Sequence, residues 1–132
     1  MNLDSLRSEL RWAIEAAQNK QAQNVTVLKL TDLGAFAEYF LICSAQSSPQ
    51  MQAIGDEVDE QLGRRGVKPE HREGRGSADW MLLDYGPFVV HVFSERARIF
   101  YDLERLWRAA ERLDVPPPAP GLSAAAPGAT QP

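Results

Sequence analysis

Few side chains in this sequence could carry acid, base, nucleophile or metal chemistry, and they are scattered along it. There are two histidines, His71 and His91, and one cysteine, Cys43. Zinc sites draw on several Cys, His or carboxylate ligands, so a metal site has little to draw on. His91 lies between Val90 and Val92, where a lone imidazole is more often structural or part of an interface than a base. We therefore predict no catalytic residue, no metal and no cofactor.

Cys43 bears on the compartment as well as on the chemistry. It stands in the apolar run Tyr39–Ser44 without a basic neighbour in sequence, which predicts an inert, buried thiol. A single cysteine cannot form an intramolecular disulfide, and this suits a reducing compartment. The sequence has no apolar run of membrane-spanning length and no secretory signal at its start. We therefore expect a cytoplasmic protein with no membrane contact.

The richest mixture of chemical groups lies in a predicted β-hairpin, Asp79–Tyr85 and Phe88–Ser94, joined by Gly86-Pro87. Side chains alternate across a strand, so parity assigns them to two faces. One face is wholly apolar or aromatic and is expected to pack beneath helices: Met81, Leu83 and Tyr85 facing Val92, Val90 and Phe88. The other face mixes aromatic, imidazole, carboxylate and aliphatic groups: Trp80, Leu82 and Asp84 facing Phe93, His91 and Val89.

Parity alone leaves two interpretations of the mixed face. Aromatic anchors with polar surroundings are typical of interfaces. Alternatively, Trp80 and Phe93 form a second core layer beneath another helix. The residues themselves favour neither interpretation, and Pro87 in the turn leaves the exact register of the hairpin open.

The elements that must hold this hairpin follow from periodicity. Apolar spacing predicts the helices Asp4–Gln18 and Arg96–Leu113, and a third helix that begins at Ser48-Pro49 and stops at Gly66. Further strands are predicted at Val25–Leu30 and Tyr39–Ser44, with a short edge strand near His71. This order of elements predicts an α/β sandwich with a mixed sheet.

Composition limits the domain count and the class of partner. The 132 residues have a formal net charge of −4 and a pI of about 5.2, which argues against general nucleic-acid binding and suits a basic protein partner. After Asp114 the composition changes, because the last 18 residues hold six of the nine prolines. We predict one domain, residues 1–114, and a disordered Pro/Ala-rich tail, residues 115–132.

Several blocks, in order along the chain, carry a family resemblance. They are NVTVL from Asn24, EYFLICSA from Glu38, Glu73-Gly74, ADWMLLDYG from Ala78, VVHVF from Val89 and RIFYDLERLW from Arg98. The resemblance that they carry covers about residues 3 to 113. In these blocks the chain resembles the ribosomal silencing factor family (RsfS, also called Iojap-like).

The resemblance implies a fold, a function and a partner. Family members bind the large ribosomal subunit through ribosomal protein L-fourteen, block joining of the small subunit by steric occlusion, and lower translation when nutrients are scarce. The implied fold is a mixed sheet of about five strands packed with helices, with nucleotidyltransferase-like topology. Where many relatives have an acidic residue in the hairpin turn, this chain has Pro87. The implied contact residues are Gly74, Trp80, Leu82, Asp84, His91, Phe93 and Tyr101.

Two other functions and one accessory contact stay open. Nucleotidyltransferases hold Mg²⁺ with two acidic residues, one apart, after a Gly-Ser loop; Gly76-Ser77 is present here, but no such pair follows. Alternatively, the mixed face self-associates into a homodimer or a larger homo-oligomeric scaffold. A basic cluster is either a helix end with a solvated loop or a minor contact with ribosomal RNA: Arg64, Arg65, Lys68, Arg72 and Arg75.

Overall fold

A computed structural model gives the structure of residues 1–118. Its helices are α1 (Ser8–Asn19), α2 (Ser48–Gly63), α3 (Glu95–Tyr101) and α4 (Leu103–Leu106). Its strands are β1 (Gln23–Lys29), β2 (Tyr39–Ala45), β3 (His71–Glu73), β4 (Trp80–Asp84), β5 (Phe88–Ser94) and β6 (Glu111–Asp114). A separate 3-10 turn occupies Leu3–Ser5, so α1 begins at Ser8 rather than at the predicted Asp4. The predicted α/β class is confirmed.

One mixed sheet contains all the strands of the described residues. Their order is β3-β4-β5-β2-β1-β6; β2 and β5 are parallel, and the other neighbours are antiparallel. β2 lies inside the sheet and is buried along most of its length, as its continuous apolar run predicts. The sheet has six strands where about five were predicted, and the nucleotidyltransferase-like topology stays a prediction.

The hairpin of β4 and β5 has the predicted register. Leu83 pairs with Val90, and the Tyr85 N–H donates to the Phe88 carbonyl at 2.9 Å. Gly86 supplies the left-handed conformation that the turn requires, with φ of 90°. The parity assignment of the two hairpin faces is therefore confirmed.

The sheet has one fully covered face and one partly covered face. α1 and α2 cover the first, which we call the packed face. α3, α4 and the loop of residues 31–38 cover part of the second, which we call the open face. The packed face buries, among others, Leu10, Ile14, Ile54, Val58, Met81, Leu83, Val90 and Val92. The open face buries Leu28, Leu30, Ile42, Phe93 and Ala97.

The start of α2 has the predicted capping signals, except that the capping serine is one residue earlier. Ser47 rather than Ser48 is the N-cap, and its hydroxyl accepts from the Gln50 N–H at 3.1 Å. Pro49 lies in the first turn, where its missing N–H costs nothing. Gly66 follows the helix with φ of 78°, the left-handed stop that was predicted.

The predicted helix Arg96–Leu113 is wrong beyond its first turns. Asp102 has a left-handed φ of 48°, which separates α3 from α4. The chain then forms β6, antiparallel to β1. Without β6, β1 would be an edge strand with unpaired backbone groups, and helical periodicity cannot detect this long-range gain. Ile99 and Leu106, whose spacing would put them on one apolar face of a continuous helix, are exposed.

The fold extends slightly beyond the predicted domain boundary. Val115 is buried, and its N–H donates to the Val25 carbonyl at 2.8 Å. The rest of the predicted disordered tail, from residue 119 to residue 132, lies outside the described residues. Within residues 1–118, no helix combines the length and the apolar character that a membrane crossing requires.

Candidate functional site

An aromatic cluster centred on Trp80 lies on the open face. β4 supplies Trp80, the adjacent β5 supplies His91 and Phe93, and α3 supplies Tyr101. The ring centroid of Trp80 lies 4.6 Å from that of Tyr101, 5.0 Å from that of Phe93 and 5.9 Å from that of His91. The fold thus brings four of the seven predicted contact residues into one cluster.

Only part of this cluster faces solvent. Phe93 is 1% exposed and His91 is 4% exposed, so these two rings form the floor of the cluster. Trp80 is half-buried, and Tyr101 is exposed. Phe93 belongs to a second core layer, as one interpretation of the mixed face predicted, while Trp80 and Tyr101 stay accessible, as the interface interpretation requires. Direct contact of His91 and Phe93 with a partner does not fit their burial in the isolated chain.

His91 is held in its neutral form beneath Trp80. Its Nδ1 accepts a hydrogen bond from the Trp80 indole N–H at 3.1 Å. Because Nδ1 is the acceptor, the proton lies on Nε2, which is buried and finds no partner among the described residues. The ring of Phe40 packs against the imidazole at 4.5 Å. Burial lowers the pKa of His91 to about 4, so the ring is uncharged near neutral pH.

Gly74 acts through its backbone. Its φ is 83°, and a Cβ at this position would overlap the carbonyl oxygen of Trp80. Only glycine combines this conformation with so close an approach. Gly74 therefore positions the strand that carries Trp80, and it has no side chain to offer a partner.

Polar side chains form one rim of the open face. Asp84 is half-buried, and its Oδ1 accepts from the Gly86 N–H at 2.8 Å. On β3, His71 lies opposite Asp84 and Glu73 lies opposite Leu82, and the His71 Nε2 is in hydrogen-bond contact with the Glu73 carboxylate. Opposite residues of an antiparallel pair share a face, so His71 and Glu73 belong to this rim. The sequence predicted an edge strand here but not its register, and so these two residues were missed.

Large apolar side chains stand exposed on α3 and α4. We call Ile99, Phe100 and Leu106 the apolar ridge. The ring of Phe100 meets that of Tyr101 edge to face at 5.0 Å. In the predicted continuous helix, Ile99 and Leu106 would share the apolar face, so their spacing did not indicate that they are exposed.

Arg98 fixes α3 against the sheet. Its buried guanidinium makes two hydrogen bonds to the Glu104 carboxylate, at 3.1 and 3.0 Å. It also donates to the Asn24 carbonyl and to the Ser44 and Thr26 hydroxyls. All five guanidinium donors are thus satisfied, which burial of this charge requires. The hydrogen bond from Arg98 holds the pKa of Glu104 below its usual value. Arg98 therefore fixes α3 in place, and with it the exposed side chains that α3 carries.

Ser77, from the Gly-Ser pair that the nucleotidyltransferase alternative would use, and the nearby Asp79 have structural partners. The Ser77 hydroxyl accepts from the N–H groups of Asp79 and Trp80 at 3.1 and 3.3 Å. The Asp79 carboxylate accepts from Arg96 and Ser94, both at 3.0 Å, and the Arg96 hydrogen bond lowers its pKa. Within residues 1–118, no three His, Cys, Asp or Glu side chains are grouped to hold a metal. The Ser77 hydroxyl therefore stabilises the turn before β4, and the Asp79 carboxylate stabilises the start of α3.

Cys43 is buried in β2, on the packed face. Desolvation raises its pKa to about 12, although the charge of Arg98 opposes the shift. The thiol therefore stays protonated at neutral pH, and the predicted inert core cysteine is confirmed.

Acidic or aromatic neighbours accompany members of the basic cluster at the end of α2. Arg72 donates to Asp56 and to Asp59, each at 2.9 Å. The guanidinium of Arg65 lies over the Trp12 ring at 4.4 Å. These partners fit the interpretation of a helix end with a solvated loop, and contact with ribosomal RNA stays a prediction.

Comparisons with known proteins point in the same direction as the blocks in the sequence. A family model described as "Ribosomal silencing factor during starvation" matches residues 3–131. A Bacillus subtilis protein named "Ribosomal silencing factor RsfS" is 38% identical over 109 residues, which are 83% of this chain and 92% of that protein.

Two crystal structures resemble this fold closely. One, from Bacillus halodurans, has a TM-score of 0.71 and 34% identity, and the match covers 80% of this chain and 96% of that one. The other, from Chromobacterium violaceum, has a TM-score of 0.75 and 27% identity, with coverage of 91% and 98%.

Proposed function

The chain belongs to the ribosomal silencing factor family, and from this premise we propose that its open face binds the large ribosomal subunit. The role of such a factor is regulation of translation rather than catalysis. The proposed partner is ribosomal protein L-fourteen, and the proposed mechanism is steric: the bound factor occupies the surface that the small subunit needs, and translation falls under nutrient limitation. The proposal places the protein with ribosomes in the cytoplasm.

The observation that carries this proposal is the half-buried Trp80 in a preformed aromatic cluster. Binding hot spots are rich in Trp and Tyr that rest in packed surroundings, and preorganised rings lose little entropy on binding. Trp80 is held from below by Phe93 and His91 and from the side by Tyr101. The direct contacts in this proposal are Trp80, Leu82, Asp84 and Tyr101. Gly74, His91 and Phe93 support them.

Charge supports a basic protein as the partner. The chain has 18 acidic residues against 14 basic ones. On the open face, Asp84 and Glu73 lie beside the half-buried Leu82. A basic surface would complement this rim, which speeds encounter and helps to fix orientation. A minor contact with ribosomal RNA through exposed members of the basic cluster, such as Lys68, remains part of the proposal.

Co-sedimentation with purified large subunits tests the proposal. Wild-type protein is expected to travel with the subunits and to reduce their joining with small subunits. Trp80→Ala should weaken binding by about 2 kcal/mol, since it removes the central anchor. Trp12→Ala is the matched control, because Trp12 is equally half-buried but lies on the side of α1 and α2.

Three results would count against this function. Wild-type protein that stays in the supernatant would exclude ribosome binding. A folded Trp80→Ala variant with undiminished binding would remove Trp80 from the contact surface. Binding to large subunits without any affinity for isolated ribosomal protein L-fourteen would leave the factor on the ribosome but assign it another partner.

The apolar ridge favours a second proposal, that the free protein forms a homodimer. Ile99, Phe100 and Leu106 are large apolar side chains exposed on two successive helices, and a patch that joined them would be typical of an interface. A dimer through this ridge would cover Tyr101 until the ribosome competed for it. Sedimentation equilibrium tests this directly. Wild-type protein should dimerise and Phe100→Asp should be monomeric, whereas a wild-type monomer at every concentration would exclude the dimer.

A further inference from the structure

The loop between β1 and β2, residues 31–38, carries the most exposed large apolar side chain of the described residues. Phe36 is 111% exposed, more than any residue of the apolar ridge. Its neighbours behave differently, because Ala37 is buried and Ala35 packs against the cluster of the open face. The loop is thus held on both sides of a phenylalanine that itself touches nothing.

Backbone hydrogen bonds fix the conformation of this loop. The Leu30 N–H donates to the Glu38 carbonyl at 2.7 Å, which closes the base of the loop. The Leu33 N–H donates to the Leu30 carbonyl at 3.0 Å. A side chain on such a held loop loses little backbone entropy when it binds, so Phe36 is presented in advance of a partner.

The loop is continuous with the proposed binding face. The Glu38 and Tyr39 N–H groups both donate to the Pro87 carbonyl, at 2.8 and 3.2 Å, so the loop is joined to the turn of the β4–β5 hairpin. The same turn is held by Asp84, which accepts from the Gly86 N–H. Ala35 packs against the cluster that also supports Trp80. The loop and the aromatic cluster therefore lie on the same face and are packed against the same apolar cluster.

We propose that Phe36 is a second anchor, which enters an apolar pocket on a protein component of the same partner. This inference rests on the proposed function, because it assumes that the open face binds the large subunit. A protein pocket fits better than ribosomal RNA, since the loop contains Asp32 and Glu38 and no Lys or Arg. Carboxylates beside an RNA backbone would repel its phosphates.

Phe36→Ala tests this proposal with the full chain and purified large subunits. Because Phe36 has no contacts to lose, the variant should keep the wild-type unfolding temperature, yet bind large subunits about tenfold or more weakly. Phe36→Leu should retain most of the affinity, because an apolar pocket accepts another apolar side chain. Thr31→Ala, an exposed position in the same loop, is the control and should bind like wild type.

The outcomes separate this proposal from the one it rests on. If Trp80→Ala weakens binding and Phe36→Ala does not, the open face is correct and the second anchor is overturned. If wild-type protein does not bind at all, the proposed function fails first. A loss in Phe36→Ala that disappears at raised salt would indicate an electrostatic contact and overturn the apolar pocket. A wild-type dimer that Phe36→Ala converts to a monomer would identify a second copy as the occupant and also overturn the proposal.

Discussion

The packed face and the open face are built from alternate residues of the same strands, yet their side chains are buried to different extents. α1 and α2, with 12 and 16 residues, cover the packed face, and Met81 and Leu83 are fully buried there. α3 and α4, with 7 and 4 residues, cover only part of the open face. Leu82, which lies between Met81 and Leu83 in sequence, belongs to this face and stays half-buried. Helix length, more than strand composition, decides which side of the sheet is all core.

The cross-strand pair of Trp80 and Phe93 shows a similar difference in burial within the open face alone. The two aromatic residues are direct partners in the β4–β5 ladder. Phe93 packs in one cluster with Ala97 of α3, and both side chains are buried. Trp80 is one strand further out and remains accessible. On this face, an apolar side chain is thus buried on β5, towards the middle of the sheet, and accessible on β4, one strand closer to the edge strand β3.

Two neighbouring leucines of β4, Leu82 on the open face and Leu83 on the packed face, give the most direct test of this difference in packing. Leu83→Ala should lower the free energy of unfolding by about 3 kcal/mol, because it opens a cavity beneath two helices. Leu82→Ala should lower it by about 1 kcal/mol or less, since solvent already reaches that side chain. Urea unfolding measures both values. Equal losses would mean that the two faces are packed alike.

Two glycines test whether the open face depends on a close backbone approach. Gly74 and Gly76 have nearly the same φ, 83° and 85°, but only a Cβ at Gly74 would overlap the backbone of Trp80. Gly76→Ala should therefore cost about 1 kcal/mol for the left-handed conformation alone. Gly74→Ala should cost at least about 1 kcal/mol more, because strand β4 must shift. Thermal unfolding of the two variants measures both losses of stability. Equal losses would mean that Gly74 does not position strand β4.

Local rules explain which parts of this fold the sequence reveals. Alternation within β4 and β5 is set by the pleat, so the two faces and the pairing of Leu83 with Val90 could be predicted. The cap and stop signals of α2 act within a few residues and were also readable, although Ser47 took the place of Ser48. The central strand followed from its unbroken apolar run.

Long-range contacts explain what could not be predicted. The break at Asp102 accompanies the ion pair of Arg98 with Glu104 and the bonds of Arg98 to distant strands, none of which periodicity encodes. The burial of Phe93 depends on where α3 lies. The candidate site was therefore predictable as a set of residues, but its division into accessible and supporting members was not.

The smallest expected effect concerns the floor of the open face and its dependence on pH. Burial lowers the pKa of His91 from 6.5 to about 4, so the folded protein resists a proton that the unfolded chain accepts. Stability from this depressed pKa is fully present above pH 6.5 and is lost as the pH falls. Between about pH 6.5 and pH 5.5 the free energy of unfolding should fall by about 1 kcal/mol.

His91→Phe separates this effect from the rest of the protein. The substitution keeps an aromatic ring of similar size in the buried position but removes the titrating group, so the pH-dependent loss in that window should disappear. It also leaves the Trp80 indole N–H without its acceptor, which should shift Trp80 fluorescence. His71→Gln, on the exposed β3 strand, should retain the pH-dependent loss. If His91→Phe kept the wild-type pH profile, the neutral imidazole would not contribute to the open face in the way that its burial predicts.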